Sequence, residues 1–231
     1  MDALKLVLSK TRSCVQKYGM IQPRDKIAVG LSGGKDSVSM LYALARLSSF
    51  YPNEFSLCAI TVDNGYKNAS YEEMEQLCED LGIEYRIVKT QIADIADKND
   101  DPCAVCSRIR RRILCDTALE MGCCAIALAH TQDDAAQTVL LNLLYNGKIE
   151  TFLPLTEYEA IKVIRPFYEL PERLCSQLVE SFGLPVCKSL CPYDKKTQRQ
   201  AVRQMIQETD RISRGANHRI MTAISKINKN E

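Results

Sequence analysis

The chain has 231 residues, 46% hydrophobic and 26% charged, enough for one well-buried α/β domain and ordinary for a globular protein. Its formal net charge of +1 gives no whole-molecule attraction to nucleic acid, and its longest apolar stretches are strand-sized, which excludes a transmembrane helix. Eleven cysteines, an odd count, argue against a disulfide framework in a reducing compartment.

Leu4, Leu6, Val7, Val15 and Tyr18 predict an amphipathic opening helix over 2–18. Asp2, Lys5, Lys10, Arg12 and Lys17 among them argue against a secretory leader, so a cytoplasmic protein is expected. Ile27–Leu31 reads as a buried strand and Val38–Leu47 as a helix. Phe55–Val62 is a second strand, ending at Asp63-Asn64-Gly65. A helix over Tyr71–Leu81 follows, with Ser70 as N-cap, Glu73 three residues on and Gly82 as its stop. Tyr85–Val88 is a third strand. Cys103 and Cys106 read as a turn, with a helix over Ile109–Met121 and a fourth strand over Ala125–Ala129. Asp133–Tyr145 is a helix ended by Asn146-Gly147, Lys162–Ile164 a fifth strand, and Pro171–Phe182 a helix ahead of Gly183. Thr197–Ile227 reads as two helices broken near Gly215, and the polar end from Lys226 to Glu231 as disordered. The expected organisation is an N-terminal helix (1–24), an α/β domain (25–185) and a helical C-terminal region (186–231).

Alternating strands and helices imply a doubly wound parallel sheet covered on both faces. Ligands of such sheets bind at the carboxyl ends of the strands, near the switch point. Ser32–Ser37, Asp63–Tyr66 and His130–Asp134 each follow a predicted strand and converge on that edge. Between strand and helix, Gly30-Leu31-Ser32-Gly33-Gly34-Lys35-Asp36-Ser37 would aim backbone N–H groups at an anion, with the Ser32 and Ser37 hydroxyls and the Lys35 cation beside them. It is not a Walker A loop, because Asp36 follows Lys35 and Val29 takes the first glycine position; nor do Gly30, Gly33 and Gly34 fit a dinucleotide fingerprint.

Ser32–Ser37 resembles the PP-loop of the adenine nucleotide alpha-hydrolase superfamily. The resemblance implies cleavage of ATP between the alpha and beta phosphates, with AMP passing to a substrate oxygen and pyrophosphate held by Leu31, Ser32, Gly33, Gly34, Lys35, Asp36 and Ser37. Val62, Asp63, Ala129 and His130 would cradle the rest of the nucleotide. His130-Thr-Gln-Asp133-Asp134 with Thr138 resembles the second motif of the tRNA-modifying branch. Asp133 and Asp134, with Asp36, would hold Mg2+ or the intermediate; read as residues alone, an Asp at a helix start is equally a cap.

Asp101-Pro-Cys103-Ala-Val-Cys106-Ser-Arg108-Ile-Arg110-Arg111-Arg112 resembles a segment of the tRNA 2-thiocytidine synthetase family, as do Arg165-Pro166 and Cys191-Pro-Tyr193 with Gln198-Arg-Gln200. This likeness spans about Asp25 to Met205. It implies tRNA as substrate, Arg112 among the catalytic residues, a sulfide or cysteine-desulfurase-derived persulfide donor, and a 4Fe-4S cluster on Cys103, Cys106 and Cys191. Homodimerisation is compatible with it. Thiolates are the usual cluster ligands, and the arginine block would favour their deprotonated form. Cys187 rivals Cys191 for the third place. A four-sulfur zinc site, a metal-free dithiol and a persulfide route remain open, as do a lysidine-synthetase-type ligase and a non-catalytic nucleotide sensor. The basic tail, with Lys195, Lys196, Arg199, Arg203, Arg211, Arg214, Arg219, Lys226 and Lys229, is either an RNA-facing surface or a solvated helix face.

Overall fold

A computed structural model describes residues 3–158, 160–193 and 197–227; Lys195, Lys196, Lys229 and the polar end beyond Ile227 lie outside them. The strands are β1 Lys26–Gly30, β2 Ser56–Asp63, β3 Glu84–Lys89, β4 Ala125–Ala127, β5 Leu155–Glu157 and β6 Lys162–Ile164. The helices are α1 Ala3–Lys17, α2 Lys35–Ser48, α3 Glu72–Asp80, α4 Ile92–Ala96, α5 Pro102–Glu120, α6 Gln132–Leu141, α7 Glu172–Phe182, α8 Gln198–Ile212 and α9 Ala216–Ile227. Among the described residues no helix is long and apolar enough to cross a membrane.

The strands form one six-stranded sheet in the order β3-β2-β1-β4-β6-β5. β1 lies between β2 and β4, with Val29 opposite both Ala59 and Ala127, so the strand order reverses there and the crevice opens at the carboxyl end of β1. Alternation along β1 sorts the core. Ile27 and Val29 face a cluster built with α1, α2, α3 and α7, while Ala28 faces a second one with Leu114 and Ala118 of α5. The sheet is thus covered on both faces, as alternating elements require.

α2 is the most deeply placed helix: Val38, Met40, Leu41, Ala43, Leu44 and Leu47 are fully buried. Each leucine contributes about 1.5–3 kcal/mol by burial. The buried Ser39 hydroxyl is satisfied by donating to the Cys175 carbonyl of α7 at 3.1 Å. α1 adds Val7, Cys14 and Val15 to the same core. α8 and α9 pack Val202, Ile206 and Ala216 against Leu140 and Leu141 of α6.

Several boundaries differ from the sequence reading. α5 begins at Pro102, not Ile109, because the Asp101 carboxylate accepts the Ala104 amide at 3.0 Å and Pro102 opens the first turn. Cys103 and Cys106 therefore stand on a helix rather than in a turn. β5 is an additional edge strand, antiparallel to β6, so Lys162–Ile164 is the sixth strand rather than the fifth. α3 starts at Glu72, and its N-cap is Tyr71 with no side-chain cap bond, not Ser70. α6 passes into one π-helical turn over Asn142–Asn146 before Gly147 stops it.

Candidate active site

The phosphate turn joins β1 to α2 and is closed by its own hydroxyls. The Ser32 amide donates to Ser37 Oγ at 3.2 Å, the two hydroxyl oxygens lie 3.1 Å apart, and Ser37 Oγ donates to the Gly34 carbonyl at 2.9 Å. Gly33 takes φ +78°, where an L side chain is strained. The α2 N-cap, Gly34, supplies no side-chain cap, leaving first-turn amides for an anion. Leu31 is fixed to β2 by donating its amide to the Ile60 carbonyl at 2.9 Å and accepting the Thr61 hydroxyl on its own carbonyl.

Lys35 lies among carboxylates. Its Nζ donates to Asp36 at 2.8 and 3.0 Å and also to Glu172 Oε1 at the start of α7. Burial works to lower the Lys35 pKa, but the bonds to Asp36 and Glu172 outweigh it and the net shift is upward. Burial raises Asp36 against the pull of Lys35. Arg203 of α8 holds the same Glu172 at 2.9 and 3.0 Å.

The segment after β4 serves largely as scaffold. Asp134 Oδ2 accepts both the amide (2.8 Å) and the hydroxyl (2.9 Å) of Thr131, completing a capping box for α6. Asp133 accepts the Glu172 amide at 2.7 Å on one oxygen and the Asn217 side chain at 2.6 Å on the other. It therefore ties α6 to the starts of α7 and α9. Burial, ahead of neighbouring charges, raises the Asp133 pKa. Asp134 is thus the third-position member of the box, while Asp133 bridges to the neighbouring helices. His130 sits 4.9 Å from the Phe152 ring, its Nδ1 buried without a partner. Burial lowers its pKa to about 4. Ala129 packs against the main core and Val62 against the α5 face. Asp63 Oδ1 accepts the Gly65 amide at 2.9 Å and the Tyr71 hydroxyl at 3.4 Å.

The late cysteines part company. Cys187 lies on the phosphate turn: its amide donates to the Gly33 carbonyl at 2.9 Å, and a Cβ on Gly33 would meet Cys187 Cβ at 2.9 Å. Cys191, four residues on, is reached instead by the Tyr66 hydroxyl at 3.5 Å. Cys103 and Cys106 stand at the start of α5, and Cys103 lies within reach of the charge of Cys191. Burial, then the charges of Cys191, Asp101 and Cys106, raise the Cys103 thiol. That is opposite to the direction expected from the arginine block. Among the described residues no trio of His, Cys, Asp and Glu is drawn into metal-ligand geometry. In donor type and number the three thiols suit an iron-sulfur group. All eleven cysteines are free.

Arg112 is exposed and pairs with Asp116 one helical turn along α5 at 2.8 Å. The charge of its neighbour Arg111 is the one felt by His130 and Arg165. Sequence reading missed Glu172, Arg203 and Asn217, which only tertiary packing brings to the turn. Pro171 ahead of Glu172 marked a helix start but not its partner. Arg165, singled out only as a motif residue, donates to the Leu153 carbonyl at 2.6 Å and to Thr156 at 3.2 Å and lies 5.1 Å from the Phe152 ring. It thereby sets the ring that packs on His130.

A hydroxyl-closed phosphate turn at the switch point of a parallel sheet, faced by a capped second segment, defines a PP-loop ATP-binding domain. The profile of the PP-loop domain family matches residues 7–209. The chain is 35% identical over 220 residues to the tRNA-cytidine(32) 2-sulfurtransferase of Aeromonas salmonicida (strain A449), covering 92% of this chain and 73% of that protein. It is 32% identical over 230 residues to the enzyme of the same name from Dechloromonas aromatica (strain RCB), covering 96% and 80%. The U34-tRNA thiolase NcsA from Methanococcus maripaludis, solved with its 4Fe-4S cluster, superposes with a TM-score of 0.78 at 29% identity, over 97% of this chain and 79% of that one. The chain belongs to the tRNA-cytidine(32) 2-sulfurtransferase family of PP-loop proteins.

Proposed function

We propose that this chain adenylates the C2 oxygen of cytidine 32 in tRNA at the expense of ATP and replaces that oxygen with sulfur, releasing pyrophosphate and AMP. The observation that carries this reading is a shared connection: the Lys35 turn is joined to Cys191, whose charge reaches Cys103, by the short segment from Cys187 to Cys191. The base oxygen attacks the alpha phosphorus and pyrophosphate departs. Lys35 and the first-turn amides of α2 stabilise the charge that develops on the departing phosphates. Sulfur at the hydrosulfide level then adds to C2, the C2–O bond breaks, and AMP leaves with the bonding pair.

The residues that would hold a 4Fe-4S cluster are Cys103, Cys106 and Cys191; when bound, it would supply a site for inorganic sulfur beside the activated base. Cys187 is engaged by the phosphate turn and is not assigned to it. For Mg2+ we assign Asp36, since one carboxylate plus substrate phosphates is an ordinary magnesium environment; its two oxygens are held only by Lys35, which the phosphates would draw away, whereas Asp133 is held by the Glu172 amide and Asn217 of the fold itself. The orphaned His130 Nδ1 and Asn64 Oδ1 are polar atoms of the kind a bound nucleotide satisfies. The donor is assigned as sulfide, or as a desulfurase-derived persulfide whose outer sulfur is released as hydrosulfide by a second thiol, leaving a disulfide. A homodimer would cover the exposed run of Leu143, Leu144, Tyr145 and Ile149, and sedimentation showing only monomer would remove it.

Anaerobically purified protein incubated with ATP, Mg2+, sulfide and an unmodified tRNA transcript should yield 2-thiocytidine by nucleoside mass spectrometry, with one AMP per thiolated base. A colourless protein with stoichiometric zinc and no thiolated product would overturn the reading.

A further inference from the structure

Beside the phosphate turn, beyond Glu172, lies a second concavity of about 1020 Å³. It is bordered by the first turns of α6, α7 and α9 and by the end of α8, and shares Asp133 with the site described above. Three arginines line it: Arg173 on α7, Arg211 on the last turn of α8, and Arg214 in the α8–α9 connection. All three are exposed, and none forms an ion pair among the described residues.

The acidic groups of this cleft are already occupied. Asp210 accepts the Ala216 amide at 2.6 Å, and Asp133 accepts the Glu172 amide and the Asn217 side chain. Arg214 is also held in place. Arg219 donates to the carbonyls of Arg214 and Ser213 at 2.7 Å each, fixing the connection ahead of Gly215. A set of unpaired guanidinium groups, facing three helix starts with their favourable partial charge, is suited to phosphate oxygens.

Resting on the sulfurtransferase reading, we propose that this cleft takes the RNA phosphate backbone, with Arg173, Arg211 and Arg214 as its phosphate contacts. ATP is accounted for at the Lys35 turn, so the cleft is left for a second polyanion, and a strand seated here runs directly past Glu172. Position 173 adjoins the residue that grips Lys35, which places the RNA backbone beside the adenylation centre without using the lysine. The basic tail, Arg211 and Arg214 included, was open to two readings from sequence, RNA-facing or merely solvated; the concave shape and the absence of ion pairs to the three arginines among the described residues favour the first.

The test is binding of an unmodified tRNA transcript with cytidine at position 32 to the full chain, by fluorescence anisotropy across a salt series. Wild type, R211A/R214A, R173A and R211K/R214K are compared, with ATP affinity and thermal melting alongside. The alanine variants should weaken binding and flatten the slope of log K against log salt by about 0.7–0.9 per arginine removed. R211K/R214K should keep most of the slope, and ATP affinity should be unchanged throughout. If wild type binds the transcript and the alanine variants bind it equally with the same slope, the assignment of the cleft is overturned while the sulfurtransferase reading stands. If wild type binds no tRNA at all, that reading fails and the assignment falls with it.

Discussion

The lysine of the phosphate turn, Lys35, is held by Oε1 of Glu172 from the start of α7, and Arg203 of α8 donates to that same oxygen at 2.9 Å and to Oε2 at 3.0 Å. The C-terminal helices thus reach the phosphate turn through one shared side chain, 16% exposed. For Lys35 to meet phosphate it must leave Glu172.

Glu172→Gln should therefore tighten ATP binding, because the partner competing for Lys35 is gone. A half-buried pair of this kind is worth about 1 kcal/mol, so calorimetry should show about fivefold higher affinity. Weaker binding in this variant would mean that Glu172 positions the lysine instead. Lys35→Met should abolish pyrophosphate release under either outcome.

Gly33→Ala should impair ATP binding more than its size suggests. The added carbon meets Cys187 at 2.9 Å, and φ +78° disfavours any L side chain. The backbone strain alone is about 1–2 kcal/mol. Restored ATP affinity in a Gly33→Ala/Cys187→Gly double variant would identify the clash as the dominant cause; unchanged loss would identify the backbone.

The cysteines should separate cleanly. Cys103→Ala, Cys106→Ala and Cys191→Ala should each lose iron and thiolation while keeping ATP affinity. Cys187→Ala should keep its iron and change ATP affinity instead. Iron analysis and calorimetry on the four proteins read both, and iron loss in Cys187→Ala would reassign the third ligand.

Asp133→Ala should destabilise the fold by about 0.5–2 kcal/mol, the range for a lost helix cap, measured by urea unfolding. Asp133→Asn should recover part of that loss, since its side-chain oxygen can still accept the Glu172 amide.

His130 predicts an acid-side loss of stability. Burial holds its folded pKa at about 4, below the ordinary histidine value of 6.5. Above 6.5 both states are neutral and this contribution is complete. Between 6.5 and 4 only the unfolded chain takes up the proton, so stability falls with a slope of up to about 1.4 kcal/mol per pH unit. In His130→Gln that part of the slope should vanish, which urea unfolding from pH 7 to 4 would show.

The glycine-rich turn between an apolar strand and a helical pattern was legible because its chemistry is local. The start of α5 was open to the same reading through Asp101 and Pro102, but the charged run Arg108–Arg112 obscured the helical period. β5 was missed because three half-exposed edge residues carry no alternation worth reading. Within the arginine block the sequence does not show which way each side chain turns: successive helix positions rotate by 100°, so Arg112 faces Asp116 while the charge of Arg111 reaches His130. Glu172 and Arg203 could not be found locally, since α7 and α8 meet the turn only after the sheet is built.

The backbone bond between Cys187 and Gly33 leaves Cys191 on a leash. Four residues of chain span at most about 14 Å. Cys191 therefore cannot stray further than that from Cys187, whose amide is bonded to the phosphate turn. No swinging arm is needed, and a nucleotide cannot lift the phosphate turn without tugging on the same cord.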